Sequence, residues 1–330
     1  MTQRSESSNG ADAILPLVIV NPRSAGGNTR EKWSATAGDL RAHFGPFAVA
    51  FTRSPGHAAE IAERAARDGR TFIIACGGDG TINEVANGII RSGVDTELGI
   101  LPSGTGGDLR RSLGIPLSNR EAAAALRTGE TRRIDIGRVT FVGTNGVATT
   151  RIFLNVSSAG LAAEIIRRVK STEVFKWLPG DALRGKLHFA VSTLIQALSP
   201  KPVTVYVKID EKEERPLETL AFCVANSRYF GGGMLIAPDA SLCDGKLDII
   251  NVGDLGTVEI LLNAHTLYRG THTSLSKVKS MQAKRVEIRP ADPNAEILIE
   301  TDGELPGKLP AVYEIVPNAL RLRVPAKQKL

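Results

Sequence analysis

Two glycine-rich blocks carry the residues best placed to do chemistry: "CGGDGTINEV" at Cys76–Val85 and "LPSGTGGDL" at Leu101–Leu109. A short apolar run, Thr71–Ala75, precedes the first, and Ile82, Val85, Ala86 and Ile89 follow at the spacing of a helix face. A glycine turn between strand and helix lets backbone N–H groups approach phosphate oxygens, and the helix N-terminus favours their charge. Asp79 adds an acceptor-only carboxylate beside those donors, which suits a bound metal ion or a substrate hydroxyl. The pattern reads as a nucleotide-phosphate site. The same residues have plainer uses. Glycines make tight turns, and Thr81 with Glu84 fits a capping box at a helix start. No G-x-x-x-x-G-K-[ST] is present, and Leu109 stands where a dinucleotide fingerprint needs its third glycine.

Five blocks then occur in order over most of the chain: "VNPRSAGG" (Val20–Gly27), "GGDGTINE" (Gly77–Glu84), "LPSGTGGD" (Leu101–Asp108), "PDASLCDGKLDI" (Pro238–Ile249) and "TDGE" (Thr301–Glu304). Together they resemble the diacylglycerol kinase catalytic family, in the soluble bacterial branch related to the sphingosine kinases. GGDGT alone also occurs in NAD kinases; the ordered set is what is specific.

Phosphoryl transfer needs a triphosphate cradle, a divalent cation and a base beside the attacking hydroxyl. Turns at the carboxyl ends of parallel strands would form the cradle for ATP. These are Asn21, Pro22, Arg23, Ser24 and Ala25; Gly77, Gly78, Asp79, Gly80, Thr81 and Asn83; and Gly104, Thr105 and Asp108. The resemblance adds Thr52 at the end of the second strand. Asp79 and Asp108 are candidates for Mg2+ on the nucleotide, although Asp108 also reads as the N-cap of the helix that follows. Gly107 replaces the asparagine usual in the family.

For the base, Asp302 and Glu304 are spaced i, i+2 and can point the same way from an extended segment. The resemblance assigns proton acceptance to Glu304, with Asp79 as the alternative. It further implies a structural Mg2+ loop in Ser241–Asp248. The Asp244 carboxylate and the carbonyls of Ser241 and Lys246 would be its ligands, with Asp244 held close to Asp302. Asn155–Ile165 matches a family segment lining the lipid cleft. There Glu164 is a candidate for holding a substrate hydroxyl, and Ala162 replaces the usual aspartate.

These residues need a scaffold. The 330 residues are 42% hydrophobic, which suits two globular domains. From Leu15 to about Arg132, apolar strands alternate with helical segments, as in a Rossmann-like parallel sheet covered on both faces. Ser54 and Pro55 read as the start of the second helix, and Ser118 with Glu121 as a second capping box. Beyond Arg132, short strands separated by turns predict a mainly antiparallel β-sandwich domain. Two helical stretches interrupt it, at Ala159–Leu198 and Thr257–Gly270.

The expected division is a disordered tail at 1–13, a nucleotide-binding domain at 14–135 that regains about 315–330, and a lipid-substrate domain at 136–314. A cleft between the two domains, closing about a hinge, would hold ATP.

The net charge of +6 (41 basic, 35 acidic residues) favours anionic ligands or an anionic membrane surface. No aromatic-and-basic stripe suggests nucleic acid. Cys76, Cys223 and Cys243 have no disulfide or zinc spacing, which points to reduced cytoplasm. No apolar run approaches the ~20 residues of a membrane span, so lipid contact is expected to be peripheral. The sequence leaves a homodimer open. The combined expectation is an ATP- and Mg2+-dependent lipid kinase, most simply one converting diacylglycerol to phosphatidic acid. A sphingoid-base kinase, an NAD kinase-like enzyme and an inactive nucleotide-binding regulator are the alternatives.

Overall fold

The computed structural model describes residues 14–103, 107–171 and 201–326. The tail at 1–13, Gly104 and Thr105, and the remainder of the helical stretch expected to reach Leu198 lie outside them. The first half runs β1 (Leu17–Val20), α1 (Asn28–His43), β2 (Ala48–Phe51), α2 (His57–Arg67), β3 (Phe72–Gly77), α3 (Asp79–Ser92), β4 (Glu97–Pro102), α4 (Asp108–Ser112) and α5 (Asn119–Thr128). The strands are parallel in the order β2-β1-β3-β4. Every residue of β1, β3 and β4 is buried, as in a sheet covered on both faces. The core here is aliphatic, built on Val18, Ile19, Ile73, Ile74, Ile100 and Leu101 with the small residues of α2 against it.

The second half begins with β5 (Glu130–Gly143), β6 (Ala148–Phe153), β7 (Val156–Gly160), α6 (Leu161–Ser171), β8 (Val203–Ile209), β9 (Arg215–Thr219) and β10 (Ala221–Ala225). It continues through β11 (Tyr229–Phe230), β12 (Met234–Leu235), β13 (Leu247–Val252), α7 (Thr257–Arg269), β14 (Val278–Ala283), β15 (Arg285–Pro290), β16 (Leu298–Thr301) and β17 (Glu304–Val324). Pairing within this half is antiparallel, around a second core that includes Phe141, Phe153, Phe222 and Tyr313. The two-part architecture expected from the sequence is therefore present.

The halves share one sheet. β17 pairs antiparallel with β16, β15 and β5, and at Arg321 and Leu322 it pairs parallel with Glu97 and Leu98 of β4. Arg323 seals that junction by gripping the buried Glu97 with two nitrogens, at 2.6 and 2.9 Å. The divisions at 135/136 and 314/315 fall inside β5 and β17, which run through without a break.

Several helix starts differ from expectation. α2 begins at His57 after Gly56, whose φ of 82° only glycine takes easily, so Ser54 and Pro55 precede the helix. Thr81 and Ser118 make no side-chain cap; α3 starts at Asp79 and α5 follows Ser118 without one. Glu84 instead reaches a different helix. Its two carboxylate oxygens accept from the N–H groups of Gly56 (2.9 Å) and Ala58 (3.1 Å), and so cap α2.

Candidate active site

The carboxyl ends of β1, β3 and β4 meet in a hydrogen-bonded rim. Asn21 Nδ2 donates to Thr81 Oγ1 (3.0 Å), Asn21 Oδ1 accepts from Arg23 N (3.0 Å), and Ser24 Oγ donates to Asn21 O (2.8 Å). Ser24, Thr29 and Ser103 continue the chain of hydroxyls. Gly77 has no room for a side chain: a Cβ there would lie 2.5 Å from Thr81 Oγ1. Ala25 belongs to the short 3-10 turn Ser24–Gly27.

Beside this rim is a cleft of about 410 Å3. Asn21, Arg23, Ser24, Thr52, Gly78, Gly80, Thr81 and Glu84 line it, as do Arg53, Ser54, Pro55 and Ala58. One residue of the second half joins them: Glu304. Pro22, Gly77, Asp79, Asn83, Asp108 and Asp302 are not in the lining.

Asp79, at the first position of α3, turns toward α4. Its oxygens accept from the N–H groups of Asp108 (3.1 Å) and Leu109 (3.3 Å). Asp79, not Asp108, thus caps α4, and Gly107 precedes that helix with a φ of 66°. Asp108 points away from the rim: it accepts from Gly232 N (2.9 Å) and pairs with Arg111 (3.0 Å). Burial, and the nearby Asp79 charge, push its carboxyl up to about 6 against those stabilising contacts.

Asp302 and Glu304 do not point the same way, because the chain between them is a hairpin turn and not an extended segment. Thr301 pairs with Glu304 across Asp302 (φ 46°) and Gly303 (φ 87°). Asp302 faces inward. Its carboxylate accepts from the N–H groups of Leu154 (2.8 Å), Asn155 (2.9 Å) and Val156 (3.1 Å), and from Asn83 Nδ2 (2.7 Å). Burial raises its carboxyl to about 6, while those four bonds act in the opposite direction. Asn83 is thereby drawn to the β-rich half rather than toward the cleft. Glu304 faces outward, half exposed, with Oε2 3.1 Å from Arg151 Nη1.

In the Ser241–Asp248 loop, Asp244 is not among the hydrogen-bond partners of Asp302, which are Leu154, Asn155, Val156 and Asn83. Asp244 accepts from Lys246 N (3.0 Å), and Gln282 Nε2 bridges it (3.4 Å) to Asp248 (3.3 Å). Asp248 is buried, and its Oδ2 has no hydrogen-bond partner. Burial, with the Asp244 and Asp239 charges nearby, raises its carboxyl to about 6. Crowded carboxylates with a free buried oxygen suit a hard cation, although no cluster of three His, Cys, Asp or Glu with metal-site geometry occurs among the described residues. Asp135, a buried carboxylate with no signal in the sequence, anchors the loop. It accepts from Gly245 N (2.7 Å) and Asn318 N (2.8 Å).

Glu164 on α6 pairs with Arg167 and Arg168 and lines a polar cavity of about 200 Å3. Leu161 lines that cavity too, and with Ala162 and Ile165 it also lines an adjoining cavity of about 130 Å3, almost wholly apolar, with Phe230, Met234, Leu255 and Leu267.

A model of the diacylglycerol kinase catalytic domain matches residues 16–139, and one of the YegS C-terminal NAD kinase beta sandwich-like domain matches residues 155–324. The chain is 31% identical over 263 residues to a protein named diacylglycerol kinase from Bacillus subtilis (strain 168), covering 79% of this chain and 80% of that protein. A protein of the same name from Mycobacterium tuberculosis (strain ATCC 25618 / H37Rv) is 28% identical over 309 residues, 93% of this chain and 94% of its own length. Among solved structures, the crystal structure of a diacylglycerol kinase from Bacillus anthracis str. Sterne superposes with a TM-score of 0.69 at 22% identity, covering 94% of this chain and 97% of that one. A second chain from that organism reaches a TM-score of 0.72 at 23% identity over the same shares.

Proposed function

The chain belongs to the diacylglycerol kinase catalytic family, and from that premise we propose that it transfers the γ-phosphoryl group of ATP to the free hydroxyl of diacylglycerol, yielding phosphatidic acid. The observation that carries this reading is the cleft itself. Glu304 arrives from the second half of the molecule and lines the same cavity as the glycine turn of the first.

The turn's N–H groups at Gly78 and Gly80, with Arg23 and Arg53, would hold the phosphates. Asn21, Ser24 and Thr81 keep the rim in shape through their mutual bonds. Glu304 would take the proton of the lipid hydroxyl as its oxygen attacks phosphorus, and the ion pair with Arg151 orients that carboxylate. Asp302, whose oxygens are occupied, positions the turn and exchanges no proton with substrate. The apolar cavity under α6 and α7 would receive part of an acyl chain, with Glu164 at the neighbouring polar cavity.

The Asp244 loop suits a structural Mg2+, whose ligands would be its crowded oxygens. Asp79, outside the cleft lining with both oxygens on α4, would reach a nucleotide-bound Mg2+ only by releasing that cap. The metal, when bound, neutralises charge on the phosphates. Lipid is met by peripheral contact at the cytoplasmic surface of a membrane. This agrees with the absence, among the described residues, of any helix long and apolar enough to span one. The three unpaired cysteines agree with a reducing compartment.

The test is Glu304→Gln on diacylglycerol-containing vesicles, with sphingosine and NAD as competing acceptors. We expect kcat to fall by about 10²–10⁴-fold, with little change in KM for ATP. A near-normal rate would remove the base role from Glu304 and leave Asp79, freed from its cap on α4, as the remaining candidate; turnover of NAD in preference to lipid would overturn the reading.

A further inference from the structure

We infer that Glu300, a residue outside the cleft, sets the position of Glu304; this rests on the reading of Glu304 as the base. The hairpin turn between β16 and β17 has positive φ at both central residues, the pattern of a type I′ turn. Beyond the Thr301–Glu304 pair the register slips, and Ile299 faces Gly307. β17 therefore uses three residues where β16 uses two, a bulge that disrupts the ladder. Pro306 lies within it and has no N–H to donate. The backbone ladder alone thus holds Glu304 weakly on the side away from the turn.

A side chain makes up the loss. Glu300 is 3% exposed, and both its oxygens are used. Oε1 accepts from Gly303 N at 2.7 Å, inside the turn, and Oε2 accepts from Ser158 Oγ at 2.7 Å, on β7. β7 is itself paired on both edges, with β10 and β16. Glu300 therefore ties the residue before Glu304 to a central strand. The backbone N–H of Asp302 donates to Val156 O (3.0 Å) and holds the other limb of the turn to the end of the same strand. A buried carboxylate is costly to desolvate, and an aliphatic residue would fill the space without that cost. Its two bonds, one inside the turn and one on β7, fit a positioning role beside the proposed base.

The experiment measures kcat and KM for ATP on diacylglycerol vesicles, using the full chain and rates normalised to folded protein. Glu300→Ala removes the tie and should lower kcat by up to about 10²-fold, the effect of a misplacement of about 1 Å, with KM for ATP nearly unchanged. Glu300→Gln keeps an acceptor for Gly303 and can donate to Ser158, so it should restore kcat close to wild type. Ser158→Ala cuts the anchor on β7 but leaves the Gly303 bond, so it should lower kcat by less than Glu300→Ala does, again with KM for ATP nearly unchanged. If Glu300→Ala fails to fold, Glu300→Asp withdraws the carboxylate by one methylene and should show the same loss of kcat. A wild-type kcat for Glu300→Ala or Glu300→Asp, or a Glu300→Gln as impaired as the alanine variant, would overturn the inference. Glu304→Gln measured alongside separates the two ideas. If it is inactive while Glu300→Ala is normal, only the positioning role fails; if it is near normal, the base assignment fails.

Discussion

Asp79, Asp302 and Glu304 are acidic residues of two glycine-containing motifs yet are placed differently, and their surroundings decide the placement. Glu304 keeps a half-exposed carboxylate at the cleft. Asp79 is turned onto the first N–H groups of α4. Asp79→Asn places an amide against those donors, so it should raise KM for ATP as well as lower kcat; an unchanged KM in an ATP titration would contradict this. Asp302 accepts from four N–H donors. Its folded carboxyl titrates near 6, above the ordinary value of 3.8. The folded state therefore holds this proton more tightly than the unfolded state. The associated stabilisation is complete below about pH 4, declines as pH rises toward 6, and is absent above that. The stability of the wild type relative to Asp302→Asn should accordingly be greatest near pH 4 and shrink toward neutrality in urea melts. Glycine turns and the family's acidic residues were legible because they are local patterns. The inward turn of Asp302 was not, since its partners Asn83 and Leu154–Val156 are far away in sequence.

Among the elements, the alternation of strand and helix was readable up to β4, where apolar runs and helix faces alternate cleanly. Helix starts were misread because the capping groups are borrowed. α2 is capped by Glu84 from α3, and α4 by Asp79 from the same helix. α3 thus fixes two neighbouring helices while its own start forms the glycine turn that lines the cleft. Glu84→Ala should cost about 0.5–2 kcal/mol, the usual worth of a cap. Urea denaturation would measure it, and a loss near zero would mean that water caps α2 as well. The long strand β17 was not readable as one element, because Pro306, Pro310 and Pro317 break its pattern.

For the whole molecule, the expectation of a hinge between two domains meets a structure in which β5 and β17 run through both halves. The halves should unfold together: calorimetry should show one transition, and two separated transitions would contradict the shared sheet. The net charge of +6 predicts faster turnover on anionic than on neutral vesicles, with the advantage falling as salt rises. Equal rates on both would reject the electrostatic contribution. The position of β17 also governs the order of assembly during synthesis. As the ribosome extends the chain, β1 to β4 emerge early and can form a four-stranded sheet, but one edge of β4 stays open. Its partner, Arg321–Leu322, is made more than 200 residues later. The first half must wait with an exposed edge while those residues are made, which is when it is most open to wrong pairing and to chaperone capture. Closure of that edge and arrival of Glu304 at the cleft depend on the same strand, so the nascent protein completes its sheet and its cleft together.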